Sequence, residues 1–94
     1  MRIEHIVWLQ SVMDKLHSKH LVETSEVEEV LAGKPRIRFA ERGRSEGEDV
    51  YLALGQTNAG RYLAVLFIYK RTAEALILSA RDMATKERRQ YDRK

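Results

Sequence analysis

The chain contains no cysteine and only one proline among its 94 residues. Without cysteine it has neither a disulfide framework nor a thiolate metal site, so the cytoplasm is the expected compartment. No apolar run approaches the roughly 20 residues of a membrane span, and the N-terminus lacks the apolar segment of a signal peptide. The histidines are scattered, and the sequence has neither His-Glu-x-x-His spacing, nor a Gly-rich phosphate loop, nor a Gly-x-Ser-x-Gly elbow. We therefore expect no metal, no cofactor and no membrane association.

The composition is that of one globular domain covering residues 1–94, with 44% hydrophobic and 33% charged residues. The net charge of +3 is modest, but the charges are unevenly distributed. Basic residues concentrate in 34–44 and again in 81–94, whereas acidic residues gather in 23–29. This segregation indicates a surface that faces a polyanion, although ordinary solvated faces would give the same pattern.

Two N-terminal helices are predicted. Apolar residues recur at helical spacing from Ile6 to Leu16, and the segment 17–20 is expected to end this first helix. Ser25 and Glu28 have the spacing of a capping box at the start of a second helix, which Gly33 and Pro35 should stop.

The rest of the chain predicts four strands and a final helix. The strand segments are 36–39, 50–54, 62–69 and 75–79, with 62–69 apolar enough to be the central strand. Turn chemistry at 57–60 joins the second strand to the third. The fold class is therefore α+β: two helices, a four-stranded antiparallel β-meander, and a short basic helix around 86–91 that must dock because it is too short to be stable alone.

Three stretches carry a resemblance to a known family: Lys19-His20 with Val27-Glu28-Glu29-Val30-Leu31, Leu54-Gly55-Gln56-Thr57 with Gly60-Arg61-Tyr62-Leu63, and Ser79-Ala80-Arg81 with Glu87-Arg88-Arg89 and Tyr91. In this order they resemble the BrnT family of type II toxins, which are RelE-like ribonucleases. The family usually has Gly where Leu21 stands. Many members have Thr where Ala84 stands, and its replacement leaves Asp82 as the expected cap of the last helix.

The resemblance implies an endoribonuclease toxin with RNA as its substrate. It also implies a cognate antitoxin, BrnA-like and DNA-binding, that covers the basic face in a hetero-oligomer. Two alternatives remain open at this point: a catalytically inactive RelE-like module that binds RNA or protein, and a structural domain whose basic helix docks an acidic partner.

Metal-independent RNA cleavage needs a cation at the phosphate and a group that moves the proton of the 2′-hydroxyl. Arginine suits the first task because its planar fork can bind two phosphate oxygens, so Arg81 is the main candidate and Arg61 the second. His20 has a suitable ordinary pKa for the second task, and Glu48 is the other candidate. The alternatives are a structural histidine and an ion pair of Glu48, or of Glu46, with Arg44.

The final helix supplies the predicted RNA-binding residues. Lys86, Arg88 and Arg89 would follow the RNA backbone, and Tyr91 would either stack on an unpaired base or anchor the helix. Glu87 lies among these cations and is expected to orient Arg81.

Overall fold

The computed structural model describes residues 1–93. None of the helices within this range is long and apolar enough to cross a membrane. The elements in chain order are β1 (His5–Val7), α1 (Gln10–Lys15), a π-helical segment (Leu16–His20), α2 (Thr24–Ala32), β2 (Arg36–Glu41), β3 (Val50–Gln56), β4 (Tyr62–Tyr69), β5 (Glu74–Asp82) and α3 (Thr85–Asp92).

The five strands form one sheet in the order β1-β5-β4-β3-β2. Strands β2 to β5 are the predicted antiparallel meander, with the apolar β4 at its centre. The mixed α+β class is thus confirmed, but the prediction of four strands was wrong. The additional strand β1 pairs in parallel with β5, where Ile6 lies opposite Ala75.

The first predicted helix therefore starts too early. Ile6 is a strand residue, and α1 begins only at Gln10, after the extended residue Leu9. A strand of three residues is too short to show a period of two, and Ile6 happens to lie at helical spacing from the apolar residues of α1. The helical path ends at His20, as predicted, because Leu21 takes up a left-handed conformation with φ 52° and ψ 40°.

The predicted capping box of α2, Ser25 with Glu28, was wrong by two residues, because Glu23 and Glu26 form it. The Glu26 carboxylate accepts a hydrogen bond from the backbone N–H of Glu23 at 3.0 Å, so the helix starts before Ser25 rather than after it. Gly33 follows the last residue of the helix, as predicted.

The N-terminal helices cover one face of the sheet, and α3 covers part of the other. Leu16, Val27 and Val30 from the N-terminal helices pack with Val65 and Phe67 in the main core. On the opposite face a smaller apolar cluster of Leu52, Leu54 and Ala64 is covered by Met83 and Tyr91. The domain consequently has three layers, and α3 is the only helix on its face among residues 1–93.

Strand β5 continues three residues beyond its predicted end, so Arg81 is a strand residue and lies opposite Ala64 of β4. Asp82 does not cap α3. The helix starts at Thr85, and the Glu87 carboxylate accepts from the backbone N–H of Ala84 at 2.8 Å. One end of the sheet lies next to α3, and we call it the α3 end. It is formed by the last residues of β3 and β5 and the first residues of β4.

Candidate active site

Arg81 is held by a carboxylate from the first turn of α3. Its Nη1 and Nη2 donate to the two carboxylate oxygens of Glu87 at 2.6 and 2.8 Å, and Nη1 also donates to the carbonyl oxygen of Asp82 at 3.2 Å. The hydrogen bond from Arg81 lowers the pKa of Glu87, and the same bond raises the pKa of Arg81. Glu87 orients Arg81, as predicted.

One edge of the Arg81 guanidinium remains available. The Nε–H and the second N–H of Nη2 have no hydrogen-bond partner among residues 1–93. These two donors lie side by side on the guanidinium, in the arrangement that binds two oxygens of a phosphate. The side chain is 42% exposed, so a ligand can approach this edge.

Further cations surround Arg81 on the same face of the sheet. Lys86, Arg88 and Arg89 are exposed on α3. Arg38 of the edge strand β2 reaches the helix and donates to the side-chain oxygen of Gln90 at 2.9 Å. We call these five side chains the α3 surface: Arg38, Arg81, Lys86, Arg88 and Arg89.

Tyr91 anchors α3. Its ring lies edge-to-face against Tyr62, with 5.8 Å between ring centroids and 86° between ring planes, and it packs on the smaller apolar cluster. Arg88 covers Tyr62 as well, with its guanidinium carbon 3.9 Å from the ring centroid. The anchoring alternative for Tyr91 is the role that these contacts support.

Arg61 is bonded to four other residues. Nε and Nη2 donate to Asp82 at 2.8 and 3.2 Å. Nη1 donates to Glu26 at 3.1 Å and to the carbonyl oxygen of Leu21 at 2.8 Å, and Nη2 donates to the carbonyl oxygen of His20 at 3.2 Å. An arginine has five N–H donors, and these bonds engage all of them. The contacts favour a structural role for Arg61 in tying the turn after the π-helical segment to α2 and β5.

His20 lies at the α3 end, next to Asp82. The hydrogen bond from Arg61 is the main reason why the pKa of Asp82 is lowered, and the charge of His20 adds to it. Asp82 and Arg81 are successive residues of β5, so their side chains leave the sheet on opposite faces. Asp82, which His20 approaches, therefore lies on the face of the sheet opposite to Arg81.

Glu48 is not brought to these residues. It is exposed in the loop between β2 and β3, at the end of the sheet opposite Arg81. The alternative ion pair with Arg44 is not formed by Glu46, which pairs with Arg71 instead. Within residues 1–93 there is also no group of three or more His, Asp or Glu side chains that could hold a metal ion.

Sequence reasoning missed three residues of this region. Asp82 and Glu26 bind Arg61 across 21 and 35 positions of the chain, and nothing local to either acid indicated this contact. Tyr62 was assigned to the central strand without a role. Its position directly after a turn and beside Arg61 was the only signal.

The five cations of the α3 surface, on one face of a three-layer α+β domain, give it the charge that suits contact with a polyanion. The model of the BrnT family, described as the ribonuclease toxin BrnT of a type II toxin-antitoxin system, matches residues 10–87. The chain belongs to this family, and it is the ribonuclease toxin of such a system. RNA is its substrate and an inhibiting antitoxin its partner. No curated protein sequence matches the chain.

Proposed function

We propose that the toxin cleaves RNA without a metal ion, by attack of a ribose 2′-hydroxyl on the adjacent phosphate, and that Arg81 stabilises the reacting phosphate. In this step the O2′–P bond forms and the P–O5′ bond breaks. The 2′-hydroxyl loses its proton to a base and the leaving 5′-oxygen gains one. The products are a 2′,3′-cyclic phosphate and a 5′-hydroxyl end.

The observation that carries the proposal is the free edge of Arg81. Negative charge grows on the phosphate oxygens as the 2′-oxygen attacks, and a donor pair that is already oriented stabilises it without reorganisation. Glu87 supplies that orientation by occupying the other edge of the guanidinium. Because Glu87 accepts also from Ala84, α3 and Arg81 are fixed together.

The other candidates take different roles in this proposal. Arg61 is a positioning residue, since its donors are engaged by protein groups. His20 is the better placed of the two proton-transfer candidates, because it shares the α3 end with Arg81 whereas Glu48 lies at the far end of the sheet. Arg61 also holds the backbone of His20, and so sets where its imidazole lies.

The remaining cations serve RNA and antitoxin in turn. Lys86, Arg88 and Arg89 of the α3 surface contact the RNA backbone, as the exposure of all three allows. We propose that a BrnA-like, DNA-binding antitoxin covers this surface in a cytoplasmic hetero-oligomer. A partner that presents acidic side chains would complement its charge and exclude RNA at once.

The test compares Arg81→Ala and Arg81→Lys with Arg42→Ala, an exposed arginine in the loop at the opposite end of the sheet. Expression without antitoxin should arrest growth for the wild type and for Arg42→Ala. Loss of one preorganised donor group should lower cleavage of total RNA by purified Arg81→Ala roughly 10²–10³-fold. Arg81→Lys should recover little, because an ammonium group cannot present two parallel donors.

Circular dichroism should show that all variants remain folded. Cleavage of total RNA by His20→Gln tests the proton-transfer candidate in the same way. Cleavage should continue in EDTA and leave 5′-hydroxyl ends. Full toxicity of Arg81→Ala would remove Arg81 from the mechanism, and 5′-phosphate ends would rule out attack by the 2′-hydroxyl. RNA that is bound but left intact would support the inactive binding module instead.

A further inference from the structure

Tyr62 has no part in the proposed cleavage step, yet it contacts Arg88 of the α3 surface. It is the first residue of β4 and is half-buried. Its ring is contacted by Tyr91 edge-to-face and by the guanidinium of Arg88, which lies over it at 3.9 Å. The three side chains therefore form one packed group at the rim of the domain.

Arg88 is ordered by this contact without being neutralised. It is exposed, and no carboxylate forms an ion pair with it among residues 1–93. Arg81 and Arg61, in contrast, are both bound to carboxylates. A guanidinium that lies over an aromatic ring keeps its outer face and its N–H edges free for a ligand, and the ring restricts its rotamers in advance.

We infer that Tyr62 and Arg88 form a stacking platform for one unpaired nucleobase of the RNA, with the base lying on the outer face of the Arg88 guanidinium. The inference rests on the proposed function, because it places a nucleotide beside the reacting phosphate. Proteins that recognise single-stranded RNA stack splayed bases on aromatic rings and on guanidinium planes. Since every base has a π face, the platform would tolerate different sequences.

The distance to Arg81 fits a neighbouring nucleotide. Met83, directly after β5, donates its N–H to the carbonyl oxygen of Tyr62 at 3.1 Å. Tyr62 therefore lies opposite Met83, and Arg81 lies two residues from Met83 on the adjacent strand. Such diagonal neighbours are about 7–8 Å apart on one face of an antiparallel pair. A base on the platform would thus leave its own or the next phosphate at the free edge of Arg81.

Oligonucleotides that lack the nucleophilic 2′-hydroxyl are bound but not cleaved, so their affinities can separate the contribution of base stacking from that of backbone charge. Two 2′-O-methyl oligonucleotides of equal length and charge are compared, one with ordinary bases and one fully abasic. The wild type should bind the strand with bases roughly 5- to 100-fold more tightly, which is the usual gain from stacking one base. Arg88→Lys keeps the charge but loses the plane, so it should bind both strands almost equally.

Lys86→Ala is the matched control, because it removes a cation from the same helix without touching Tyr62 and should weaken both strands alike. A strand with one 2-aminopurine gives an independent readout. Its fluorescence should be quenched by the wild type and by Lys86→Ala but not by Arg88→Lys.

Each other result overturns the platform. Equal binding of both strands by the wild type would show that only the backbone is bound, and the role of Arg81 would stand. A base preference that survives in Arg88→Lys would place the stacked base elsewhere. If Arg88→Lys bound RNA like the wild type but was inhibited less by the antitoxin, the platform would be an antitoxin contact. No binding of either strand would contradict the proposed RNA surface as well.

Discussion

At the scale of single residues, Leu21 has the least favourable backbone. A left-handed conformation costs a non-glycine residue about 1–2 kcal/mol, and Leu21 is 72% exposed, so its side chain recovers little by burial. Glycine adopts such a φ without this steric cost. Leu21→Gly should therefore stabilise the protein by roughly 0.5–1 kcal/mol, after subtracting about 0.5–1 kcal/mol for the greater flexibility of Gly in the unfolded chain.

Urea unfolding at neutral pH measures this change as a shift in midpoint at constant slope. Ala73→Gly is the matched control, because Ala73 has φ 65° in the turn between β4 and β5, far from His20. Both variants should be stabilised. If Leu21→Gly were less stable than the wild type while Ala73→Gly gained, the Leu21 side chain would have a packing role that outweighs its backbone cost.

The contacts of His20, Arg61 and Arg81 show how much of the site could be predicted. The residue types, and their place near a strand end and a basic helix, were evident from the sequence. The partners were not, because Arg61 meets Glu26 and His20 only after the chain has folded back across 35 and 41 positions. Glu48 was a reasonable candidate by residue type, but the direction of β3 carries it away from Arg81.

At the scale of the elements, Gly55 sets how closely α2 lies on β3. A Cβ added at this buried glycine would come within 2.9 Å of Cγ1 of Val30 and 3.4 Å of Cβ of Pro35. Val30 is 1% exposed and cannot move aside into solvent. Gly55→Ala should therefore destabilise the protein by about 1–3 kcal/mol through overpacking.

The double variant Gly55→Ala/Val30→Ala tests whether this contact is the cause. Val30→Ala alone should cost about 2–3 kcal/mol through the lost apolar contact, and the methyl group that Gly55→Ala adds should partly fill the space that it leaves. The two costs should consequently be less than additive in urea unfolding. Strict additivity would mean that Gly55 is required for another reason.

The same scale explains which elements were predictable. Strands β2 to β5 have period-two or continuous apolar patterns over four or more residues, whereas β1 has only three residues and depends on its pairing with β5. The capping box of α2 was predicted at Ser25 and Glu28, whereas Glu23 and Glu26 form it in the structure. The contact of Glu26 with Arg61 and the turn at Leu21 fix the start, and neither is local to the capping motif.

At the scale of the whole molecule, the alternation of side chains along β2 decides which residues of the basic stretch 34–44 lie beside α3. Arg38 lies on the face that carries α3 and reaches Gln90, while Arg42 belongs to the loop at the opposite end of the sheet. Charge segregation along the chain thus predicted a cationic surface, but not its membership. Only the register of β2 on β3 assigns Arg38 to the α3 surface.

Two arginine–carboxylate pairs, Arg61–Asp82 between adjacent strand ends and Arg81–Glu87 between β5 and α3, make the stability of the domain depend on pH. Hydrogen bonds from arginine lower the pKa of Asp82 from its ordinary value of 3.8 and that of Glu87 from 4.5. A lowered carboxyl pKa contributes stability above the ordinary value, and this contribution is lost as the pH falls through the folded-state value. The pKa values of the two arginines are raised by the same hydrogen bonds, so both guanidinium groups stay charged throughout this range.

Asp82→Asn and Glu87→Gln should therefore each cost about 0.5–1 kcal/mol at neutral pH, a small value because Asp82 and Arg81 are 66% and 42% exposed. The cost should shrink at an acidic pH below the lowered folded-state pKa values, because the wild-type carboxylates are then protonated too. Urea unfolding of each variant beside the wild type at both pH values measures it. Glu28→Gln is the control, since its carboxylate forms no ion pair among residues 1–93. A cost that stayed constant between the two pH values would show that the amides lose shape complementarity rather than charge, and the ion pairs would then not explain the attachment of α3 and the His20 turn to the sheet.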